Sequence, residues 1–209
     1  MSIFLISGYA LRNLTKNQTE NLNKNPRWTK GSAPRQGATE RPDERRKRKN
    51  DKERMNGKHI LIGISGGIAA YKIPELIRTF IKQGAQVRVT TTQNALQFVT
   101  ELTLQPLTNA RVYSDVFAAI NEHSTEHISL PDWADLMVVA PATANVLGKF
   151  AAGIADDALT TTFCATVARR PIVIAPAMND KMYACPATQQ AMHTLAQWEN
   201  VSLLDCAEG

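Results

Sequence analysis

The chain has 209 residues, 44% of them hydrophobic and 21% charged, so it can form one packed domain and is not disordered as a whole. Its three cysteines, Cys164, Cys185 and Cys206, form neither a CxxC pair nor an even set, which argues against a disulfide framework and a structural zinc site. The net charge of +5 is unevenly spread, because residues 1–55 hold 14 Lys and Arg against 6 Asp and Glu, while residues 56–209 hold 10 against 13.

Residues 1–55 are predicted to form a disordered basic extension. Residues 15–54 are polar and include the cluster RRKRK at 45–49, and they cannot bury enough apolar surface to offset the entropy of ordering. A nucleic-acid or localisation tail is the alternative, but the acidic balance of the remaining residues makes a nucleic-acid partner unlikely on charge grounds. We expect the extension to precede the true start at Met55, and we expect a cytoplasmic protein because no signal peptide is recognisable.

From residue 58 onward, short apolar runs alternate with helical patterns. Strands are predicted at residues 58–64, 86–91, 134–140, 171–175 and 201–204. Helices are predicted at residues 68–83, at 145–166 with a break at Gly153, and at 188–197, and residues 94–100 are a candidate start of a further helix. This alternation predicts an α/β domain at 56–209 with a Rossmann-like (flavodoxin-like) open parallel sheet and helices on both faces. The apolar stretch 136–155 contains proline, asparagine and lysine, which argues against a membrane-spanning helix.

Small or polar residues follow the first four predicted strands. They are SGG at 65–67, TQN at 92–94, PATAN at 141–145 and PAMN at 176–179. Ligands bind beyond the carboxyl ends of such strands, so the four turns predict a site for a nucleotide-like ligand. The first turn suits a phosphate but matches neither GxGxxG nor GxxxxGK[ST], so NAD binding and ATP hydrolysis lack support. Helix capping is the alternative role for Thr143, Asn145 and Asn179.

Two further groups of polar residues are candidates for proton transfer or metal binding. His127, in the stretch EHISL, is the candidate for proton transfer near neutral pH, although a lone histidine is more often structural or exposed. Asp156 and Asp157 are adjacent carboxylates, but no further carboxylate or histidine is spaced to complete a metal site. We expect these two residues to be polar groups at a helix end or loop, and we predict no metal.

Four motifs together resemble those of the flavin-containing cysteine decarboxylases. They are GISGGIAAYK at 63–72, HISL at 127–130 with WAD at 133–135, PATAN at 141–145 and PAMNDKMY at 176–183. The resemblance covers residues 56–209, and the order and spacing of the motifs also fit. It implies a Rossmann-like flavoprotein that binds FMN, usually at the interface of a homotrimer, with trimers able to assemble further. It also implies a small-molecule substrate and no membrane partner.

The resemblance further assigns roles to individual residues. His127 matches the catalytic histidine of the family, and Asn179 matches the asparagine that holds the substrate carboxylate, with Met178 beside it. Ser65 opens the first of the turns that would bind the cofactor. The other residues implied in FMN binding are Gly66, Gly67, Ile68, Thr92, Gln93, Asn94, Thr143, Ala144, Asn145, Val146 and Ala177.

Within the family, the motifs are most similar to those of members that convert 4'-phosphopantothenoylcysteine to 4'-phosphopantetheine in coenzyme A biosynthesis. The implied chemistry is oxidation of the cysteine thiol to a thioaldehyde, loss of CO2 and re-reduction by FMNH2. The alternatives are a peptidyl-cysteine decarboxylase, a prenyl-FMN synthase and a non-catalytic flavoprotein partner subunit. The motifs at His127 and at Met178 and Asn179 favour cysteine decarboxylation over prenyl transfer.

One departure from the family pattern concerns the cysteine that reprotonates the product. In the family this cysteine lies on a substrate lid beyond the last strand, in a context that Cys206 does not match. The sequence printed here ends at Gly209, before such a stretch. We therefore expect this chain to support FMN binding and the oxidative half of the reaction, and we assign Cys206 no role.

Overall fold

The structure, a computed structural model, describes Gly8 and the ranges 55–116 and 126–205. The rest of the predicted basic extension lies outside the described residues, as does Cys206. Met55, which the sequence places at the end of the extension, is fully buried in the hydrophobic core. Among the described residues, no helix is long and apolar enough to cross a lipid bilayer.

The centre of the domain is a six-stranded sheet in which every neighbouring pair is parallel. Its strands are β1 (His59–Ile64), β2 (Gln86–Thr91), β3 (Val112–Tyr113), β4 (Leu136–Ala142), β5 (Ile172–Pro176) and β6 (Val201–Leu203). The strand order is β3-β2-β1-β4-β5-β6, which is the order of the doubly wound Rossmann sheet. The predicted α/β class and open parallel sheet are confirmed.

Helices cover the sheet on both faces. They are α1 (Ile73–Lys82), α2 (Glu101–Thr108), α3 (Glu126–Trp133), α4 (Ala144–Ala152), α5 (Ala158–Val167), α6 (Asp180–Tyr183) and α7 (Pro186–Ala196). Short 3-10 segments at Ile68–Lys72 and Gln93–Gln97 lead from β1 and β2 into α1 and α2.

Alternate residues of the strands form two separate hydrophobic clusters, because successive side chains point to opposite faces of a sheet. On one face, Ile60 and Ile62 of β1 share a cluster with Phe80 of α1. On the other face, Leu61 of β1 shares a cluster with residues of α4, α5 and α7. Both faces of β1, β4 and β5 are buried, which is why these three strands are nearly continuous apolar runs in the sequence.

The helix ends are defined by specific local interactions. Asp157 caps α5 by accepting a hydrogen bond from the backbone N–H of Thr160, and the Thr160 side chain bonds back to the Asp157 backbone. Helix α4 ends at Gly153, which has a positive φ of 69° that suits glycine. The polar role expected for Asp156 and Asp157 is therefore met, with Asp157 as a helix cap.

Several predicted boundaries differ from the structure. The strand predicted at 134–140 lies at Leu136–Ala142, so it continues through Pro141 instead of stopping there. The helix predicted at 145–166 is two helices separated by residues 153–157. Strand β3 and helices α3 and α6 were not predicted at all. Strand β3 has two residues and helix α6 has four, which is too short for a recognisable pattern. Helix α3 contains an internal proline that weakens its helical pattern.

Candidate functional site at the carboxyl edge of the sheet

The strand order reverses between β1 and β4, and this reversal defines a crevice at the carboxyl edge of the sheet. Chain connections leave β1 and β4 toward opposite ends of the sheet, which makes this pair of strands the topological switch point. Ligands of doubly wound folds bind at such a point. The turn at 65–67 follows β1 and the turn at Thr143 follows β4, so both predicted motifs lie here.

Ser65 joins these two turns through its buried hydroxyl. The Oγ of Ser65 donates a hydrogen bond to the carbonyl oxygen of Pro141 at 2.7 Å and accepts one from the backbone N–H of Thr143 at 3.0 Å. The Ser65 backbone N–H also donates to the Pro141 carbonyl, at 3.3 Å. The end of β1 is therefore tied to the end of β4.

The glycine turn lies against both neighbouring turns. A Cβ added at Gly66 would lie 2.6 Å from Cβ of Asn94 and 2.9 Å from its backbone carbonyl carbon. A Cβ added at Gly67 would lie 3.2 Å from Cγ2 of Thr143. Only the absence of side chains lets the three turns meet this closely, so the predicted motifs form one continuous surface.

The turn after β2 is held by hydrogen bonds on both sides. The backbone N–H of Thr92 donates to the carbonyl of Ile64, and the Thr92 hydroxyl accepts from the N–H of Ala95. The Gln93 side-chain amide donates to the carbonyl of Ser114 at 2.8 Å, which links this turn to the segment after β3. Asn94 is exposed and lies against Gly66.

A depression of about 300 Å³ adjoins this turn. It is lined by Gln93, Leu96, Glu101, Arg111, Val112, Tyr113, Ser114 and Asp115. The Ser114 hydroxyl donates to the Glu101 carboxylate at 2.6 Å, so part of its polar lining is already internally bonded. Ser114 and Glu101 are not among the predicted site residues, because Ser114 follows β3, a strand too short to be recognised in the sequence.

The turn after β4 leads directly into α4. Thr143 occupies the N-cap position, but its side chain does not cap the helix. Instead, its hydroxyl lies 3.3 Å from the Ser65 hydroxyl. The first helical hydrogen bond is donated by Leu147, so the N–H groups of Ala144, Asn145 and Val146 precede it. Backbone donors at a helix start favour an anionic group such as a phosphate.

The fourth turn follows β5 beside the end of β4. The backbone N–H of Ala177 donates to the carbonyl of Ala142 at 3.0 Å, and Met178 packs, half-buried, against the core. The exposed Asn179 caps α6, because its Oδ1 accepts from the backbone N–H of Lys181 at 2.9 Å. Since the cap uses the carbonyl oxygen, the side-chain N–H2 group of Asn179 remains available as a donor.

His127 lies in the first turn of α3. The other end of this helix is at the amino edge of the sheet, where the Trp133 ring stacks on His59 at 4.5 Å. The first turn of α3 therefore points toward the carboxyl edge, where the four turns lie. The His127 side chain lies outside the described part of the structure.

The ionisable groups with shifted pKa values lie outside the four turns. A hydrogen bond from Lys149 lowers the pKa of Asp156, and the same contact raises the pKa of Lys149. Burial raises the pKa of the Cys164 thiol. Hydrogen bonds from the backbone N–H groups of Thr188 and Ala187 lower the pKa of the exposed Cys185 thiol. Within the described ranges, no group of three or more His, Cys, Asp and Glu is arranged to hold a metal ion.

The site residues thus fall into two groups. Ser65 is hydrogen-bonded to Thr143, Gly66 lies against Asn94, and Gly67 lies against Thr143. The other proposed cofactor residues flank this centre. Ile68 is highly exposed, Ala144 and Ala177 are half-buried, Asn145 is exposed and Val146 is buried.

The N–H groups of Ala144, Asn145 and Val146 at the start of α4, beside a turn with two glycines, are suited to an anionic group such as a phosphate. Fold and site therefore define a doubly wound α/β protein with a nucleotide-type crevice at its switch point. The chain belongs to the Flavoprotein family, whose model matches residues 48–208.

Known relatives are similar to this chain over the same part. The coenzyme A biosynthesis bifunctional protein CoaBC of Bacillus subtilis is 46% identical over 155 residues, which are 74% of this chain and 37% of that protein. The CoaBC protein of Escherichia coli K12 is 45% identical over 142 residues, 68% of this chain and 34% of that protein. The chain thus spans about a third of the length of the curated relatives that it matches.

Solved structures show the same similarity in three dimensions. A PPC decarboxylase mutant complexed with pantothenoylaminoethenethiol has a TM-score of 0.64 and 33% identity, covering 71% of this chain and 82% of that one. The FMN-dependent cysteine decarboxylase SpaF has a TM-score of 0.64 and 30% identity, covering 71% of this chain and 85% of that one.

Proposed function

We propose that this chain is an FMN-dependent decarboxylase that acts on 4'-phosphopantothenoylcysteine in coenzyme A biosynthesis. One structural observation supports it most: the turns after β1, β2 and β4 touch at the switch point, through the Ser65 hydrogen bonds and the Gly66–Asn94 contact. The similarity to CoaBC proteins and to PPC decarboxylase supports the choice of reaction.

The FMN would be held by the residues of the four turns. The N–H groups of the glycine turn and of the start of α4 are suitable donors for its phosphate and ring oxygens. When bound, FMN supplies the oxidation of the thiol-bearing carbon and the later return of the electrons. The proposed contacts come from Gly66, Gly67, Ile68, Thr92, Gln93, Asn94, Thr143, Ala144, Asn145, Val146 and Ala177, with Ser65 at the base of the first turn.

Substrate handling would fall to His127, Met178 and Asn179. The imidazole of His127 would take up a proton as the thiol is oxidised, the role for which histidine is best suited near neutral pH. The side-chain N–H2 of Asn179 can donate to the substrate carboxylate, because its oxygen is already used by the α6 cap. This holds the carboxylate in place until CO2 leaves. Met178 contributes an apolar surface beside it.

The proposal includes assembly into a homotrimer and the expected cytoplasmic setting. Four large apolar side chains in the segments after β1 and β2 are exposed, namely Ile68, Tyr71, Phe98 and Leu102. Burial of such side chains between subunits removes apolar surface from water and stabilises an oligomer. Light scattering of the purified chain measures this directly: the mass of three chains supports the proposal, and that of one chain contradicts it.

A peptidyl-cysteine decarboxylase is the second candidate within the same chemistry. The structural neighbours include TvaF, described as a cysteine decarboxylase from thioviridamide biosynthesis, with a TM-score of 0.65 and 30% identity. The CoaBC relatives are 45–48% identical to this chain, which favours the small-molecule substrate.

The test is an anaerobic reaction of the FMN-loaded chain with 4'-phosphopantothenoylcysteine and, separately, with a peptide that ends in cysteine. With the first compound only, we expect bleaching of the visible flavin absorption and an enethiol product that is lighter than the substrate by CO2 and the two hydrogen atoms transferred to FMN. A His127→Asn variant should still bind FMN but bleach at least tenfold more slowly. Bleaching with the peptide alone would favour the second candidate, and no bleaching with either compound would contradict the proposed decarboxylation.

A further inference from the structure

The Ser65 side chain lies beneath the crevice and is completely buried, with a relative exposure of 0%. Its hydroxyl connects the turn after β1 with the turn after β4, which are 76 to 78 residues apart in the sequence. A polar group that is removed from water needs hydrogen-bond partners within the protein, and Ser65 has them.

The hydrogen of this hydroxyl is used within the protein. A serine hydroxyl carries one donor hydrogen and two acceptor lone pairs. The hydrogen is donated to the Pro141 carbonyl at 2.7 Å, and the oxygen accepts the N–H of Thr143 at 3.0 Å. The Thr143 hydroxyl oxygen also lies within reach of the same donor, at 3.3 Å. The Ser65 hydrogen is therefore directed at the turn after β4 and not at a ligand.

We propose that Ser65 is a positioning residue of the cofactor site, which acts on FMN through Pro141 and Thr143 instead of touching it. This inference rests on the proposed FMN binding. The Ser65 bonds set the distance between the glycine turn and the start of α4, the two segments whose backbone donors face the crevice. These two segments lie close together, because a Cβ added at Gly67 would be only 3.2 Å from Cγ2 of Thr143.

Removal of the hydroxyl leaves the Thr143 N–H without an acceptor and leaves the Pro141 carbonyl with only the longer bond from the Ser65 backbone N–H. In a Ser65→Ala variant, the Pro141 carbonyl loses its shortest hydrogen bond and the Thr143 N–H loses its acceptor. Buried groups without partners relax toward water or toward other partners, which moves the start of α4 away from the glycine turn. FMN binding should therefore weaken even though no contact to FMN is deleted.

The experiment compares Ser65→Ala with a matched variant, Thr166→Ala, in the full chain freed of flavin. Thr166 is also fully buried, and its hydroxyl donates to the Thr162 carbonyl within α5, away from the crevice. FMN affinity is measured by fluorescence titration and stability by thermal unfolding of the flavin-free chain. We expect both variants to lower the melting temperature and only Ser65→Ala to weaken FMN binding, by about tenfold.

The outcomes separate this inference from the proposed function. If the wild-type chain does not bind FMN, the proposed function fails and the inference fails with it. If the wild-type chain binds FMN and Ser65→Ala binds it equally tightly, the inference alone is overturned. Equal weakening by both variants also overturns it, because the effect would then follow from lost stability.

A second measurement needs no variant and so covers the case in which Ser65→Ala does not fold. Amide hydrogen exchange of the wild-type chain reports the Thr143 N–H directly. We expect this amide to be protected before FMN is added and to gain little on binding, while the amides of Ala144 and Asn145 gain protection. A Thr143 amide that exchanges freely in the flavin-free chain, or that gains as much protection as its neighbours, would overturn the proposal.

Discussion

At Gly66, the space where a side chain would lie is taken by the backbone of the next turn. In a Gly66→Ala variant, the new Cβ would lie 2.9 Å from the carbonyl carbon of Asn94, a distance that backbone atoms cannot tolerate without moving. We expect the free energy of unfolding to fall by about 2 kcal/mol through overpacking, and FMN binding to be lost. Urea unfolding and FMN titration measure the two effects.

The control for this variant is the same substitution at Gly148, in the exposed part of α4. A Cβ there would meet nothing within 4 Å. Gly148→Ala should raise the free energy of unfolding by about 0.5–1 kcal/mol, because alanine favours a helix more than glycine does. If Gly66→Ala is as well tolerated as Gly148→Ala, the close contact between the first two turns is wrong.

The two described cysteines should differ sharply in reactivity. Cys185 is exposed, and backbone N–H groups at the start of α7 lower its thiol pKa, whereas Cys164 is partly buried and burial raises its pKa. The thiolate is the reactive form, so alkylation of Cys185 should be faster at neutral pH and should set in at lower pH than that of an ordinary thiol.

Peptide mapping by mass spectrometry after short exposure to iodoacetamide measures both rates. We expect Cys185 to be modified at least tenfold faster than Cys164 in the folded chain and at a similar rate in denaturant, where both environments are lost. Equal rates in the folded chain would contradict the hydrogen-bond arrangement at the start of α7.

At the scale of single elements, α5 depends on its cap. The Asp157 carboxylate accepts from the N–H of Thr160 at 2.8 Å in a reciprocal capping arrangement. Asp157→Ala should lower the free energy of unfolding by about 1 kcal/mol, the usual effect of losing such a cap. Asp156→Ala is the control, because exposed Asp156 pairs with Lys149 but caps no helix.

Urea unfolding compares the loss of the shorter ion pair to Lys149, at 2.6 Å from Asp156, with the loss of the cap together with the longer pair, at 3.3 Å from Asp157. We expect a smaller loss for Asp156→Ala than for Asp157→Ala, and a loss that shrinks further as salt is added, since an exposed ion pair is screened. A larger loss at Asp156 would show that the ion pair, and not the cap, stabilises the start of α5.

The elements also show what the sequence could predict. Strand β2 was predicted with its observed bounds, because its apolar alternation is local. Strand β3 was missed, since two residues carry no periodicity and form a strand only by pairing with Val89 and Thr90. The separation of α4 from α5 was foreseen only as a break at Gly153, because the length of the loop depends on the cap at Asp157.

At the scale of the whole molecule, the order of the strands determines which turns meet. The sequence located the four turns approximately: those at 65–67 and 92–94 directly follow β1 and β2, whereas Pro141 and Ala142 belong to β4 and Pro176 to β5. It could not predict that Gly66 lies against Asn94 or that Ser65 bonds to Pro141, since both contacts depend on the strand order. The roles of His127, Met178 and Asn179 remain predictions that rest on the family resemblance.

We propose that these turns together bind FMN at the β1–β4 crevice. Adding one negative charge beside the turns tests this proposal. Asn145 is exposed in the first turn of α4, so an Asn145→Asp variant places a negative charge beside the proposed phosphate site. Asn109→Asp adds the same charge at an exposed residue after α2, at the other edge of the sheet.

The measurement is the visible absorption spectrum of each purified chain after reconstitution with FMN and removal of excess. We predict oxidised-flavin bands in the wild-type chain and in Asn109→Asp, and at least tenfold weaker FMN binding in Asn145→Asp. A wild-type chain that stays colourless, or an Asn145→Asp variant that retains FMN as tightly as the wild type, would contradict the account.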